Sequence, residues 1–411
     1  GGGSSHINSH KVTSALDEVK DMGNITYAQG FDDKEDKTDE VLLAEAVEAA
    51  KKAKVVVIFA GLPDAFESEG FDRSHMRMPD CQNELIAKVA QVQPNTVVVL
   101  HNGSPVEMPW ANQVKGIVEA YLGGQAVGGA VCDILFGKVN PSAKLPETFP
   151  LKLEDNPSYL FYIGERDKVE YREGIFVGYR YYDKKKMDVL FPFGHGLSYT
   201  TFEYSNLRTD KDSMKDTDTM EVSVDIRNTG NMAGKEVVQL YVADKESTVI
   251  RPVKELKGFE KIELAPGETK TVTFRLDKRA FAFYSVKIQD WYVETGAFDL
   301  MAGSSSRDIR LTKEVTVEST VKIPFVYTTD TTMGDVRRDP KAWEIAKALV
   351  TKDLFGSGEE GSAASEAITD EMNEAMSRYM PLRGPVSFGD GTVTMGDVQA
   401  IVDKLNALEE G

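Results

Sequence analysis

The chain has little cysteine, no basic excess, no long apolar run and no methionine at its start. Only Cys81 and Cys132 occur among 411 residues, both on segments of helical pattern, without a CxxC or any metal-ligand spacing. Two unpatterned thiols argue against a disulfide framework and for a reducing compartment, so the expected location is cytoplasmic and no metal or other cofactor is expected. Lysine and arginine number 48 against 66 aspartates and glutamates, a formal net charge of −18. A surface of that sign lacks the basic footprint that nucleic acid and anionic membrane surfaces require, so neither is an expected partner. No apolar run reaches the length of a bilayer span, and no signal peptide is legible. The chain opens Gly1-Gly2-Gly3-Ser4-Ser5-His6. Such a cluster normally follows a strand inside a fold, so the sequence reads as starting mid-domain. As a phosphate loop it has neither the preceding strand nor the spacing of a dinucleotide fingerprint.

What remains is ordinary globular composition, 41% hydrophobic and 28% charged, in a chain long enough for two or three domains. Residues 11–20 read as a short helix and 24–29 as a short strand. Thr38 or Asp39 can cap a helix whose apolar face is Leu42, Leu43, Ala46, Val47, Ala50 and Ala53. The run 54–62, with Val55, Val56, Val57, Ile58 and Phe59, reads as a strand buried on both faces. Further helices are expected over 80–93 and from Gly123-Gly124 to Gly137, with strands over 96–100 and 117–122. Alternation of this kind makes a mostly parallel sheet between helices, an α/β sandwich domain over residues 1–160.

Residues 161–200 form an aromatic connector that includes Phe161, Tyr162, Tyr179, Tyr182, Phe191 and Phe193, suited either to a sugar platform or to packing between domains. Period-two alternation follows over 201–320, as in Met220, Val222, Val224 and Ile226, with turns at Asn228-Thr229-Gly230-Asn231 and Pro266-Gly267. This is the pattern of an antiparallel β-sandwich of fibronectin or immunoglobulin type, with nothing at catalytic spacing. Residues 321–411 form a helical tail, with helices over 340–354, 370–379 and 395–408 and a Gly/Ser/Glu linker over 356–365. So small a bundle is expected to pack back on something.

The stretch that carries chemistry is Phe66-Glu67-Ser68-Glu69-Gly70-Phe71-Asp72-Arg73. It leaves the carboxyl end of the 54–62 strand, where open α/β sheets bind ligands. Three carboxylates and an arginine around a glycine can present a carboxyl group to a sugar, and they can equally be a solvated acidic loop.

This loop, taken with Gly61-Leu62-Pro63-Asp64, resembles the acid/base loop of bacterial family 3 glycoside hydrolases, the β-glucosidases. The likeness continues in family order through His101-Asn102-Gly103-Ser104-Pro105-Val106-Glu107, Gly123-Gly124-Gln125-Ala126, Gly174-Ile175-Phe176-Val177-Gly178-Tyr179, Phe191-Pro192-Phe193-Gly194-His195-Gly196 and Arg251-Pro252-Val253-Lys254-Glu255-Leu256. Met380-Pro381-Leu382-Arg383 is similar to the tail of longer members. The resemblance implies an α/β sandwich followed by a fibronectin type III-like domain. It also implies a retaining mechanism, in which two carboxyl groups about 5 to 5.5 Å apart flank the glycosidic bond. Glu69 would be the general acid and then the general base, with its pKa raised by burial and by the nucleophile's charge. Phe66 and Arg73 would contact the sugar, Asp72 and Arg73 would pair to hold the loop, and Glu67 stays the competing candidate for the acid.

The family's aspartate nucleophile, usually in a Ser-Asp-Trp run, has no match here. The chain therefore resembles a C-terminal half whose N-terminal (β/α)8 barrel half is its expected partner. A β-glucoside or gluco-oligosaccharide is the expected substrate, and a homo-oligomer stays open. Other readings are a non-catalytic carbohydrate-binding or scaffold module, a family member of other specificity such as a β-xylosidase, and a nucleotide-binding α/β protein.

Overall fold

The computed structural model of the protein describes residues 3–349, 370–389 and 391–409. The linker expected over 356–365, and the end of the helix expected over 340–354, lie outside the described residues. The chain forms two compact units, Gly1–Thr320 and Val321–Gly411.

The first unit begins with α1 (Ala15–Val19), opened by a reciprocal Ser14/Asp17 capping box. In α2 (Glu40–Lys52), Asp39 is the cap, its carboxylate accepting from the amides of Val41 and Leu42, while Lys51 and Lys52 face the negative end of the dipole. The segments β1 (Val56–Gly61), α3 (Asp80–Val92), β2 (Thr96–His101), β3 (Gly116–Glu119) and α4 (Val127–Leu135) then alternate as their periodicities predict. The three strands pair in parallel in the order β1-β2-β3, with Gly61 opposite His101 and Val97 opposite Gly116. Leu43 and Ala50 of α2 and Leu85, Ile86 and Val89 of α3 pack with Ile58, Val98 and Leu100 into one core.

Two expectations fail here. The strand covered on both faces is β2, where Val98, Val99 and Leu100 are fully buried; β1 lies at an edge of the sheet, with Phe59 37% exposed. An apolar run shows that a strand is half or wholly buried, but not where in the order it lies. Residues 24–29 are not a strand, because nothing in the three-stranded sheet pairs with them, and Ile25 and Tyr27 are exposed.

The connector closes on α5 (Tyr179–Lys185). Its second half is packing: Tyr179 stacks on Phe193 with ring centres 4.9 Å apart and meets Tyr241 edge-on. Its first half is open, with Tyr162 and Tyr171 exposed.

The sandwich follows, built from β4 (Phe202–Thr209), β5 (Ser213–Lys215), β6 (Met220–Asn228), β7 (Gly234–Asp244), β8 (Glu255–Leu264), β9 (Thr269–Leu276), β10 (Phe283–Ser285), β11 (Asp290–Tyr292), β12 (Gly296–Ser305) and β13 (Asp308–Glu318). One sheet runs β5-β13-β12-β7-β8 and the other β4-β6-β9, while β10 and β11 form a separate hairpin. Inward residues of both sheets, among them Val222, Val224, Ile226, Leu240, Phe298 and Leu300, fill a single core.

The second unit contains α6 (Met333–Val336), α7 (Pro340–Ala346), α8 (Asp370–Tyr379), α9 (Gly384–Phe388) and α10 (Met395–Glu409). It has a core of its own, in which Met333, Val336, Ala346, Leu382, Val398, Val402 and Leu405 are buried together.

Candidate functional site

The site is assembled at the carboxyl ends of β1 and β2. Gly61 ends β1 so close to β2 that a Cβ there would lie 2.0 Å from the carbonyl oxygen of His101. Its amide is taken up by the buried side chain of Gln82 on α3, at 2.9 Å. The chain then turns through Pro63, whose carbonyl accepts from the amides of Phe66 and Glu67, and enters the acidic loop.

Each charged residue of the loop has a partner, and Glu67 and Arg73 share one. The Glu67 carboxylate accepts from the Gly103 amide and the Ser104 hydroxyl, both at 2.6 Å. The Arg73 guanidinium donates through Nη1 to Ser104 Oγ at 2.7 Å and to the Pro105 carbonyl at 3.4 Å. Its Nε and Nη2 are buried and unpartnered among the described residues. Asp72 accepts from the Tyr162 hydroxyl at 2.6 Å. The expected Asp72–Arg73 pair does not form, because Arg73 points inward to the loop after β2 and Asp72 outward to the connector. Beyond Arg73, the Glu107 amide donates to the Met76 carbonyl at 2.8 Å, so the loops after β1 and β2 are laced together on both sides of Glu69.

Glu69 stands on the exposed crest, followed by Gly70 at φ +96°, a conformation that a side chain would strain. Its Oε2 accepts from the amide of Ser4 at 2.6 Å and from the Ser4 hydroxyl. These bonds, the hydroxyl's first, hold the Glu69 carboxyl below its ordinary range. The expected upward shift is therefore absent from this chain by itself, because the desolvation that opposes the hydrogen bonds is the smaller effect. Phe66, expected against the sugar, is half-buried and packs edge-on to His75 with ring centres 5.9 Å apart.

Beneath the loop lies a group that sequence reading passed over. Glu119, at the end of β3, accepts from the Tyr121 amide at 3.0 Å and the Asn102 side chain at 3.3 Å. Tyr121 in turn donates its hydroxyl to Glu147 at 3.2 Å. Burial raises Glu119 to about 7, against the pull of its two hydrogen bonds and with the help of the Glu147 and Glu67 charges. Burial likewise raises Glu147. The signal was available, since Glu119 closes a parallel strand at the edge where ligands gather.

A testable consequence follows for stability. In the folded chain Glu119 keeps a proton that its ordinary value of 4.5 would release, so its contribution is full below about pH 4.5 and is lost as pH rises through about 7. Glu119→Gln should remove that dependence and stabilise the protein by about 2 kcal/mol at pH 8, with little effect at pH 4.5. Urea unfolding at the two pH values measures this, and an unchanged slope between them would refute it.

A parallel α/β layer ending in a carboxylate loop, followed by an antiparallel sandwich, is the C-terminal architecture of a class of glycoside hydrolases. Residues 1–199 match the glycosyl hydrolase family 3 C-terminal domain and residues 236–306 the fibronectin type III-like domain. The whole chain is 52% identical to 54% of thermostable beta-glucosidase B of Acetivibrio thermocellus. It is also 43% identical to 53% of an exo-alpha-(1->6)-L-arabinopyranosidase of Bifidobacterium breve. Among solved structures, the family 3 beta-glucosidase of Bifidobacterium adolescentis superposes on 82% of this chain and 50% of its own, at 46% identity and a TM-score of 0.77. The chain belongs to glycoside hydrolase family 3 and corresponds to the C-terminal half of its β-glucosidases. It spans about half the length of these relatives, 54% and 53% for the two curated ones.

Proposed function

We propose that the chain is the acid/base half of a retaining, exo-acting β-glucosidase that removes terminal β-D-glucosyl residues, with the nucleophile on an N-terminal (β/α)8 barrel half. The observation that carries this reading is the division of labour in the loop. Glu67 has both oxygens bonded to the loop after β2, while Glu69 stands exposed on the crest with Ser4 as its partner. A sugar and a nucleophile carboxylate closing over Glu69 would desolvate it and repel its charge, raising its pKa into the range a general acid needs. The protonated carboxyl would give its proton to the departing oxygen, and the carboxylate left behind would then take one from the water that hydrolyses the glycosyl-enzyme. Phe66 and Arg73, whose Nε and Nη2 make no hydrogen bond among the described residues, are the proposed contacts to the sugar. The two free thiols support a cytoplasmic setting.

The test is aryl β-glucoside hydrolysis by the purified chain, alone and mixed with a separately produced barrel half. We expect no turnover from the chain alone and turnover on mixing. Full activity from the homogeneous chain would sink the two-part reading, and no turnover on mixing would favour a non-catalytic module. Because one relative is an arabinopyranosidase, an aryl α-L-arabinopyranoside belongs in the same assay.

A further inference from the structure

We propose that Ser104, together with Glu67, is the positioning pair that holds Glu69 where it can donate its proton. The inference rests on the assignment of Glu69 as acid/base and deepens it. Glu67 lies two residues before Glu69 and Arg73 four after, and both reach the same hydroxyl. Ser104 Oγ gives its single proton to Glu67 Oε1 at 2.6 Å and accepts from Arg73 Nη1 at 2.7 Å. One small group thus closes the seven-residue segment at both ends, since a hydroxyl can donate to a carboxylate and accept from a guanidinium at a single atom. The second oxygen of Glu67 takes the Gly103 amide at 2.6 Å. A Cβ on Gly103 would press within 3.2 Å of that carboxylate, so glycine leaves room for it.

The pair is itself anchored. Asn102, wholly buried, donates to the Ser104 carbonyl at 2.9 Å and to Glu119 at 3.3 Å, tying the hydroxyl's backbone to the ends of β2 and β3. Between the two anchors Glu69, Gly70, Phe71 and Asp72 are exposed, so little in this chain other than the anchors and the Ser4 and Tyr162 contacts restrains the crest. Glu67 has both oxygens engaged as acceptors, which suits a fastener and not a proton donor. The sequence alone gives Glu67→Ala little cost beyond loop packing; the two hydrogen bonds make the larger cost described below the expected one.

The experiment uses the enzyme assembled from both halves and compares kcat/KM for a glucoside with a poor leaving group against one with an activated dinitrophenolate. The ratio cancels the fraction of folded enzyme, so loss of stability does not move it. Ser104→Ala and Glu67→Gln should each lower the ratio about 10-fold, the scale of a misplaced catalytic group, while Ser104→Thr retains it. In the 411-residue chain alone, hydrogen exchange over residues 66–73 should speed up in Ser104→Ala and not in Ser104→Thr. Equal loss on both substrates, or unchanged exchange, would overturn the proposal. If Glu69→Ala collapses the ratio while Ser104→Ala and Glu67→Gln keep it, the acid/base assignment stands and the positioning role is wrong. If Glu69→Ala keeps the ratio, the assignment fails and the positioning role falls with it.

Discussion

In the assembled enzyme Glu69→Ala should lower the rate on glucosides with poor leaving groups by about 10² to 10⁴, the usual worth of general acid catalysis. Substrates whose leaving group departs unprotonated should lose much less in the first step, because the nucleophile is untouched. Deglycosylation should then limit turnover, since no base activates the water. Azide needs no base, so it should restore part of the rate and yield a β-glucosyl azide. The ionisation behaviour should agree. In this chain Ser4 holds the Glu69 carboxyl below its ordinary range, so it is a carboxylate there. In the assembled enzyme its titration should lie higher and appear as the basic limb of the kcat/KM profile, which Glu69→Ala abolishes. Azide rescue in Glu67→Ala and none in Glu69→Ala would mean that the roles of the two glutamates are reversed.

The fold was legible where local pattern and global position agree. The stripe on α2, the continuous run of β2 and the alternation in β6 each have one structural solution, and each forms. The order of strands was not legible, since Val55 to Phe59 are as apolar as a central strand while β1 stands at an edge. The candidate segment 24–29 failed for a related reason, because strand propensity cannot supply a partner strand. At the site, the segment that carries Glu69 was readable from the loop's position after β1, though Glu69 was expected to be buried and stands exposed. The loop's partners were not readable, because they come from residues 31 to 90 positions away: Ser104 reaches Arg73, and Tyr162 reaches Asp72. The adjacent charges of Asp72 and Arg73 suggested a pair, and the direction of each side chain decided otherwise. The place of Glu119 at the carboxyl end of β3 was legible, but its raised pKa was not, because that comes from burial by elements distant in sequence and no pattern within β3 encodes it.

The sandwich looked inert in sequence, yet Arg251 should prove to be one of its most sensitive positions. Its side chain is 8% exposed and sits between Asp244, at 2.8 Å from Nη1, and Glu255, at 3.4 Å from Nη2. Nη1 also donates to the Phe281 carbonyl at 3.0 Å, and the guanidinium lies over the Phe283 ring. Replacing it by methionine strands the Asp244 carboxylate and the Phe281 and Ala282 carbonyls in a dry setting, while Glu255 keeps Arg180 and Lys257; removal of one member of a buried pair costs about 3–5 kcal/mol. Burial already outweighs the guanidinium and holds Asp244 above its ordinary range. Without Arg251 that carboxyl should rise further. A raised folded pKa gives stability that is present at low pH and lost as pH rises through it, so the penalty of Arg251→Met should be smaller at pH 5 than at pH 7.5. Adding Asp244→Asn should recover part of the loss at the higher pH. Urea unfolding at both values measures this, and a penalty below about 1 kcal/mol, or one independent of pH, would refute the buried-charge account. The network also holds the connector, through Arg180 to Glu255 at 3.2 Å and Lys254 to Asp183 at 2.6 Å. Since it touches no group in the acidic loop, Arg251→Met should reduce activity only through the folded fraction and leave the leaving-group ratio that Glu69 controls unchanged.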